Sequence, residues 1–329
     1  MKFILAVASC VSGASLVFAE LVALSPAGGK EVKLLPEMQK GVMGLPTLDE
    51  RIKFLHDNRQ QIKKKGKDEW RKSLPLVLEV KATAGENGPW KIFIGKRPDL
   101  SDARVWYVKT TKTDAATGRE QKAGPARELQ QIEVPMANLE IGMRYYWKIA
   151  SRGRCGFGCG PKHGCKECKQ MVETGVSEFV TEGLAPRWMA IEGRVANIRD
   201  LGGRLGLGGK RVRQGLVYRG QGLNDNSVTG EVQGQNRLTI EDVKYLKGTL
   251  GIKTDLDLRG RGEVADLNDS PLGADVKFIN RASMAYKGIF EPKGKKTMAE
   301  NFRVFCDKKN YPIYFHCIGG ADRKGALAY

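Results

Sequence analysis

A thiol and a guanidinium six residues apart, Cys317 and Arg323, are the pair in this sequence best equipped for chemistry. Ile318, Gly319, Gly320, Ala321 and Asp322 lie between them, and Lys324 follows. The preceding run, residues 311–316, is short and almost wholly apolar, as a strand buried on both faces would be. Gly325-Ala326-Leu327-Ala328 has the composition of a starting helix. A strand, a glycine-containing loop and a helix N-terminus make an anion seat, because unpaired backbone N–H groups and the helix dipole converge on the loop. That field favours the thiolate of Cys317, the form that attacks phosphorus. Arg323 can offer two parallel N–H donors to phosphate oxygens. The Cys-x5-Arg spacing alone says little in a chain with this many arginines and seven cysteines. The buried strand before it, the glycines within it and the helix after it give the spacing its weight. The competing reading, a core cysteine beside a surface arginine, would need no anion loop.

The rest of the chain must position that loop. From residue 185 onward, glycines, strand-like runs and helix-like stretches alternate, as in an α/β domain. Residues 74–184 read differently, with short β-like runs at 76–80, 90–94, 103–108 and 145–149 between Gly, Pro and Asp turns. That spacing suggests an antiparallel β-sandwich. Residues 139–149 and 177–182 resemble the end of a fibronectin type III domain. Residues 20–73 read as a linker rich in Pro, Gly and Lys, then a helix over 48–65 opened by a Thr47–Glu50 capping box. Residues 1–19, with Lys2 ahead of an apolar run, read as a secretory signal peptide cut before Glu20. The expected molecule is therefore multidomain and exported, to the periplasm or beyond. A β-sandwich is followed by an α/β domain with a central, mainly parallel sheet.

Cys155, Cys159, Cys165 and Cys168 form a cluster within the sandwich region. Their C-x3-C-x5-C-x2-C spacing could hold zinc on four thiolates or form two disulfides, and export favours the disulfides. A redox pair at Cys165 and Cys168 is a third reading. The three histidines, His56, His163 and His316, form no ligand cluster near the loop, so the site is expected to use no metal or cofactor.

Four segments now stand in order: Asn197-Ile198-Arg199-Asp200-Leu201-Gly202-Gly203, Gly215-Leu216-Val217-Tyr218-Arg219-Gly220, residues 250–259 with Glu263, and residues 316–325. This succession resembles the bacterial tyrosine phosphatase family, with its N-x-R-D-L-G-G, D-L-R-x-x-x-E and H-C-x-x-G-x-D-R-T-G signatures. The resemblance implies hydrolysis of phosphotyrosine through a phosphocysteine, with phosphoserine, phosphothreonine and phosphoinositides as further substrate classes. It also implies that Asp322 is the general acid for the leaving oxygen. Read from the residues alone, Asp322 could equally be a carboxylate that stabilises the loop. Arg199, Asp200, Arg259 and Glu263 are expected to support the loop, and His316 to orient the strand end and the thiolate. The chain departs from the pattern twice. Lys324 stands where the family has the Thr or Ser whose hydroxyl bonds the departing thiolate, and Ala321 stands where it has a Lys. The sequence also stops at Tyr329, one turn into the helix after the loop, where the family continues with further helices. A C-terminally incomplete domain is therefore expected.

The net charge of +18 fits a solvated basic surface and would also attract anionic partners. The partners expected are a phosphorylated protein or a phospholipid headgroup. No basic run interleaved with aromatics suggests nucleic acid, and no later segment is apolar enough for stable membrane insertion.

Overall fold

The structure, a computed structural model, describes residues 21–65, 72–82, 89–108, 129–152, 171–183, 189–191, 193–204, 207–223, 238–264, 267–284 and 286–328. The signal-peptide stretch, the four clustered cysteines and the expected boundary at 185 lie outside the described residues. The chain divides into two compact units, one of residues 1–28, 77–133 and 146–178, the other of 29–76, 134–145 and 179–329. Its earlier elements are β1 (Leu21–Ser25), β2 (Lys30–Val32), α1 (Glu37–Gly44), α2 (Leu48–Asp57), α3 (Arg59–Lys65), β3 (Leu76–Ala82), β4 (Trp90–Gly95), β5 (Arg104–Val108), β6 (Leu129–Val134), β7 (Arg144–Arg152), β8 (Met171–Glu173) and β9 (Ser177–Thr181). The later ones are β10 (Arg199–Asp200), β11 (Val217–Gly220), α4 (Ile240–Val243), β12 (Thr254–Asp257), α5 (Arg261–Val264), β13 (Lys277–Asn280), α6 (Pro292–Cys306), β14 (Ile313–His316) and α7 (Asp322–Ala328).

The first unit is made of strands that alternate apolar and polar residues. In β3, Leu78, Val80 and Ala82 are buried while Val77 and Lys81 face out, the period of two that a one-sided sheet requires. β1, β3 and β6 form one sheet, with β1 antiparallel to β3. β4 pairs antiparallel with β5 and β7, and β8 pairs antiparallel with β7. The register of β4 and β7 gathers Trp90, Ile92, Trp147 and Ile149 into the buried layer. Trp147 satisfies its buried indole by donating to Pro26 O at 2.8 Å.

In the second unit the stretch expected to be a linker is structured. Glu182 explains much of this: its carboxylate accepts from Leu34 N at 2.5 Å and Leu35 N at 2.6 Å, and pairs with Lys40 Nζ at 2.7 Å. Local composition cannot reveal a partner almost 150 residues away. The capping box at Thr47 forms, with Thr47 Oγ1 accepting from Glu50 N at 3.2 Å and Glu50 Oε2 accepting from Thr47 N at 3.0 Å. The single helix expected over 48–65 is instead two, α2 and α3. Asn58 interrupts it: its backbone leaves the helical region at φ −94° and ψ 9°, and its side chain joins its own N–H on Phe54 O, at 2.8 and 3.0 Å. Residues 134–145, read from sequence with the sandwich, also belong to this unit. Ile141 exchanges hydrogen bonds with the Gln214 amide at 2.9 and 2.8 Å, and Asn138 donates to Tyr245 Oη at 2.6 Å.

The C-terminal part carries a mixed five-stranded sheet, β10-β11-β14-β12-β13. β11, β14, β12 and β13 run parallel, and β10 is antiparallel to β11. β14, the last strand in sequence, lies between β11 and β12 and is wholly buried. Its side chains alternate between two apolar clusters. Ile313 and Phe315 join Leu256, Leu258, Val304 and Leu327, whereas Tyr314 joins Ile198, Leu223, Leu246 and Ile252. Fully burying one such side chain contributes about 1.5–3 kcal/mol, so both faces hold this strand in place. Among the described residues, no helix is long and apolar enough to cross a membrane.

Candidate active site

The parallel register aligns Gly220 of β11, His316 of β14 and Asp257 of β12. Their carboxyl ends open on one edge, where parallel α/β sheets bind ligands. The loop 317–321 leaves β14 there and turns directly into α7. Cys317 is only 4% exposed and belongs to the apolar cluster that holds Leu258 and Leu327. Two neighbouring strand ends fasten the loop. Leu258 N donates to His316 O at 2.9 Å, and Gly222 N donates to Ile318 O at 2.8 Å. Gly320 has φ 67°, and a Cβ there would come within 2.5 Å of Gly220 O, so the loop's path needs glycine at this point.

Asn197 fastens the loop from a third side. Its Nδ2 donates to Gly320 O at 2.5 Å and Gly319 O at 3.3 Å. The sequence placed Asn197 in a signature but gave it no role. Its neighbour Asp200 takes Gly202 N and Gly215 N, both at 2.8 Å, and so holds the turn after β10 to the chain entering β11. A Cβ on Gly202 would fall 2.2 Å from Gln214 Cα, which accounts for the glycine in that signature.

Behind the loop lies a buried polar network. His316 Nε2 is 2.9 Å from Asp255 Oδ1, and its Nδ1 is 3.7 Å from Asp257 Oδ1. Ser270 Oγ donates to Asp255 Oδ2 at 2.8 Å. Arg259 donates from Nε and Nη2 to the Asp257 carboxylate at 3.0 and 2.7 Å, and from Nη2 to Leu223 O at 3.1 Å. Burial disfavours ionising Asp257, but His316 and Arg259 outweigh it and hold the carboxyl below its ordinary range. His316 is thus wedged between two acids, fixing the strand end from which Cys317 follows. Asp255 received no role from the sequence, although an acid two places ahead of the D-L-R signature in a short strand was a usable signal.

Arg323 is held at its fork. Nη1 and Nη2 donate to Glu263 Oε2 and Oε1 at 2.5 and 2.6 Å. That bond raises the guanidinium above its ordinary range and, in spite of burial, lowers the Glu263 carboxyl. Glu263 also accepts from Gly260 N at 2.7 Å, so the arginine is tied to the turn after β12. Asp322 opens α7, and its carboxylate raises the phenol of Tyr286 above its ordinary range. Tyr286 sits on the 3-10 turn Tyr286–Phe290, is 71% exposed and has φ 53°. It lies between the signatures, where nothing in the sequence marked it. Ala321 adds no charge to the loop. Lys324, grouped with the loop residues on sequence grounds, is fully buried and donates from Nζ to Asn197 O at 3.1 Å. Arg199 faces it. Among the described residues, no group of three or more His, Cys, Asp or Glu is placed to hold a metal ion.

Residues 190–329 match the model of the tyrosine phosphatase family. A protein of Cupriavidus necator, provisionally named a tyrosine-protein phosphatase, is 28% identical over 176 residues. The match covers 44% of this chain, which spans 59% of that relative's length. Among solved structures, the core catalytic domain of the PP-IP phosphatase Siw14 from S. cerevisiae in complex with citrate is similar at 17% identity. That likeness covers 34% of this chain and 57% of the other, with a TM-score of 0.24.

Proposed function

We propose that this chain hydrolyses phosphate monoesters through a phosphocysteine formed on Cys317, with protein phosphotyrosine as its substrate class. The observation that carries this reading is the loop 317–321. It starts at the end of a buried central strand, is pinned by Gly222, Leu258 and Asn197, and leads into a helix bearing Arg323. The Cys317 thiolate attacks phosphorus, the phosphorus–oxygen ester bond breaks, and the Asp322 carboxyl gives its proton to the leaving oxygen. Water then attacks the phosphocysteine, Asp322 accepts a proton from it, and the sulfur–phosphorus bond breaks to release phosphate. Arg323, steadied by Glu263, balances charge on the non-bridging oxygens. Phosphoinositides share the same monoester chemistry and remain the alternative substrate class.

A second reading is a phosphate-binding protein without turnover. It is favoured by Lys324, which leaves no hydroxyl after the arginine to assist the departing thiolate. Export of the chain and a fibronectin type III-like N-terminal module complete the proposal. They are supported by the apolar leader and by the strand pattern of the first unit.

Turnover of a generic aryl phosphate by the chain and its Cys317→Ser variant separates the two readings. The enzyme reading expects release of phenol by the wild type, falling to background in the variant. Equal, negligible turnover by both would leave only phosphate binding.

A further inference from the structure

Lys324 is a fully buried lysine next to a loop built for anions, a place where a permanent charge would be expensive. Its Nζ donates to Asn197 O at 3.1 Å, and a Cβ on Gly320 would come within 2.5 Å of it. The amine therefore lies against the loop backbone. The charged groups facing it are Arg219 from β11, Arg199 from β10 and Cys317 from the loop, with Asp322 and Arg323 preceding it on α7. Arg199 and Arg219 are register partners across β10 and β11. Burial first, then Arg219 and Arg199, push the ammonium down to about 6, while Cys317 pulls it upward. An empty seat thus leaves the amine largely neutral at pH 7. A doubly charged anion on the loop would reverse that balance.

We infer that Lys324 is the internal cation of this seat, a positioning residue that takes a proton from solvent when a tetrahedral dianion settles on the loop and releases it when the seat empties. The inference rests on the loop being the anion seat proposed above. It gives a role to the residue that replaces the family's hydroxyl. Charged by the bound phosphoryl group, Lys324 faces Cys317 as the thiolate departs from phosphorus, and so balances charge that a hydroxyl would otherwise meet by hydrogen bonding.

Sulfate is a suitable probe, since its own charge does not change between pH 6 and 8. The full chain is titrated calorimetrically with sulfate in a Cys317→Ser background, which removes the thiol's own titration, using two buffers of different ionisation enthalpy. The expected result is uptake of about one proton per sulfate at pH 7 and affinity that weakens by up to about tenfold per pH unit above 6. Lys324→Met should bind sulfate with no uptake and no pH slope. Lys324→Arg, permanently charged, should do the same if the methionine variant does not fold. Sulfate binding without proton uptake, or unchanged uptake in a folded Lys324 variant, overturns the inference and leaves the phosphatase reading standing. Failure of sulfate to bind any of these proteins overturns both.

Discussion

Arg323 does not wait free for a phosphate; both of its terminal nitrogens are committed to Glu263. This fixes the plane of the guanidinium, and under the proposed function its remaining donors meet the phosphoryl oxygens without reorganisation. Glu263→Gln keeps the shape but removes the charge and one acceptor oxygen. It should lower kcat/KM for an aryl phosphate on the order of 10²-fold, the effect of misplacing a positioned group. An unchanged kcat/KM would show that Arg323 is held by something else. The same pair has a pH signature. Because the Glu263 carboxyl lies below its ordinary 4.5, its contribution to stability is complete above that value and is lost as pH falls through the lower folded value. Wild type and Glu263→Gln should therefore converge in stability on acidification, which thermal unfolding at a series of pH values would follow.

Among the elements, β14 and its loop are where local sequence and tertiary packing agree. Gly320 carries the sharpest constraint, and Gly320→Ala should destabilise the protein by at least about 1–2 kcal/mol through its left-handed backbone alone, before the clash with Gly220 O. An unaltered melting temperature would mean that the loop follows another path. This stretch was legible because apolar composition, glycine and helix-start signals all fall within 19 residues of one another. The parallel sheet was legible as a class. That the final strand would insert between β11 and β12 was not, since pairing order is a long-range property. The same blindness hid Glu182, whose partners Leu34, Leu35 and Lys40 turn an expected linker into ordered structure. The break at Asn58 was missed for a different reason: the hydrophobic period continues past it, but its backbone leaves the helical region there. In the site, residues within signatures could be found from sequence. Tyr286, which reaches Asp322 from an irregular segment, could not. Nor could composition reveal that Lys324 is buried with its amine on the Asn197 carbonyl.

For the molecule as a whole, the phosphatase likeness resides in residues 190–329, while residues outside that stretch supply part of its support. Asn138 and Ile141, far upstream in sequence, bond to Tyr245 and Gln214 in the part that carries the sheet. The net charge of +18 would draw anionic substrates toward the protein without selecting among them. Under the proposed function, selection and turnover depend instead on one covalent event at Cys317. The most direct measurement is mass spectrometry of the chain quenched in acid within a single turnover of an aryl phosphate. A phosphoryl adduct on the peptide containing Cys317, formed and lost at rates that match turnover, is the expected result. Hydrolysis proceeding with no adduct on that peptide, or persisting in Cys317→Ser, would contradict it.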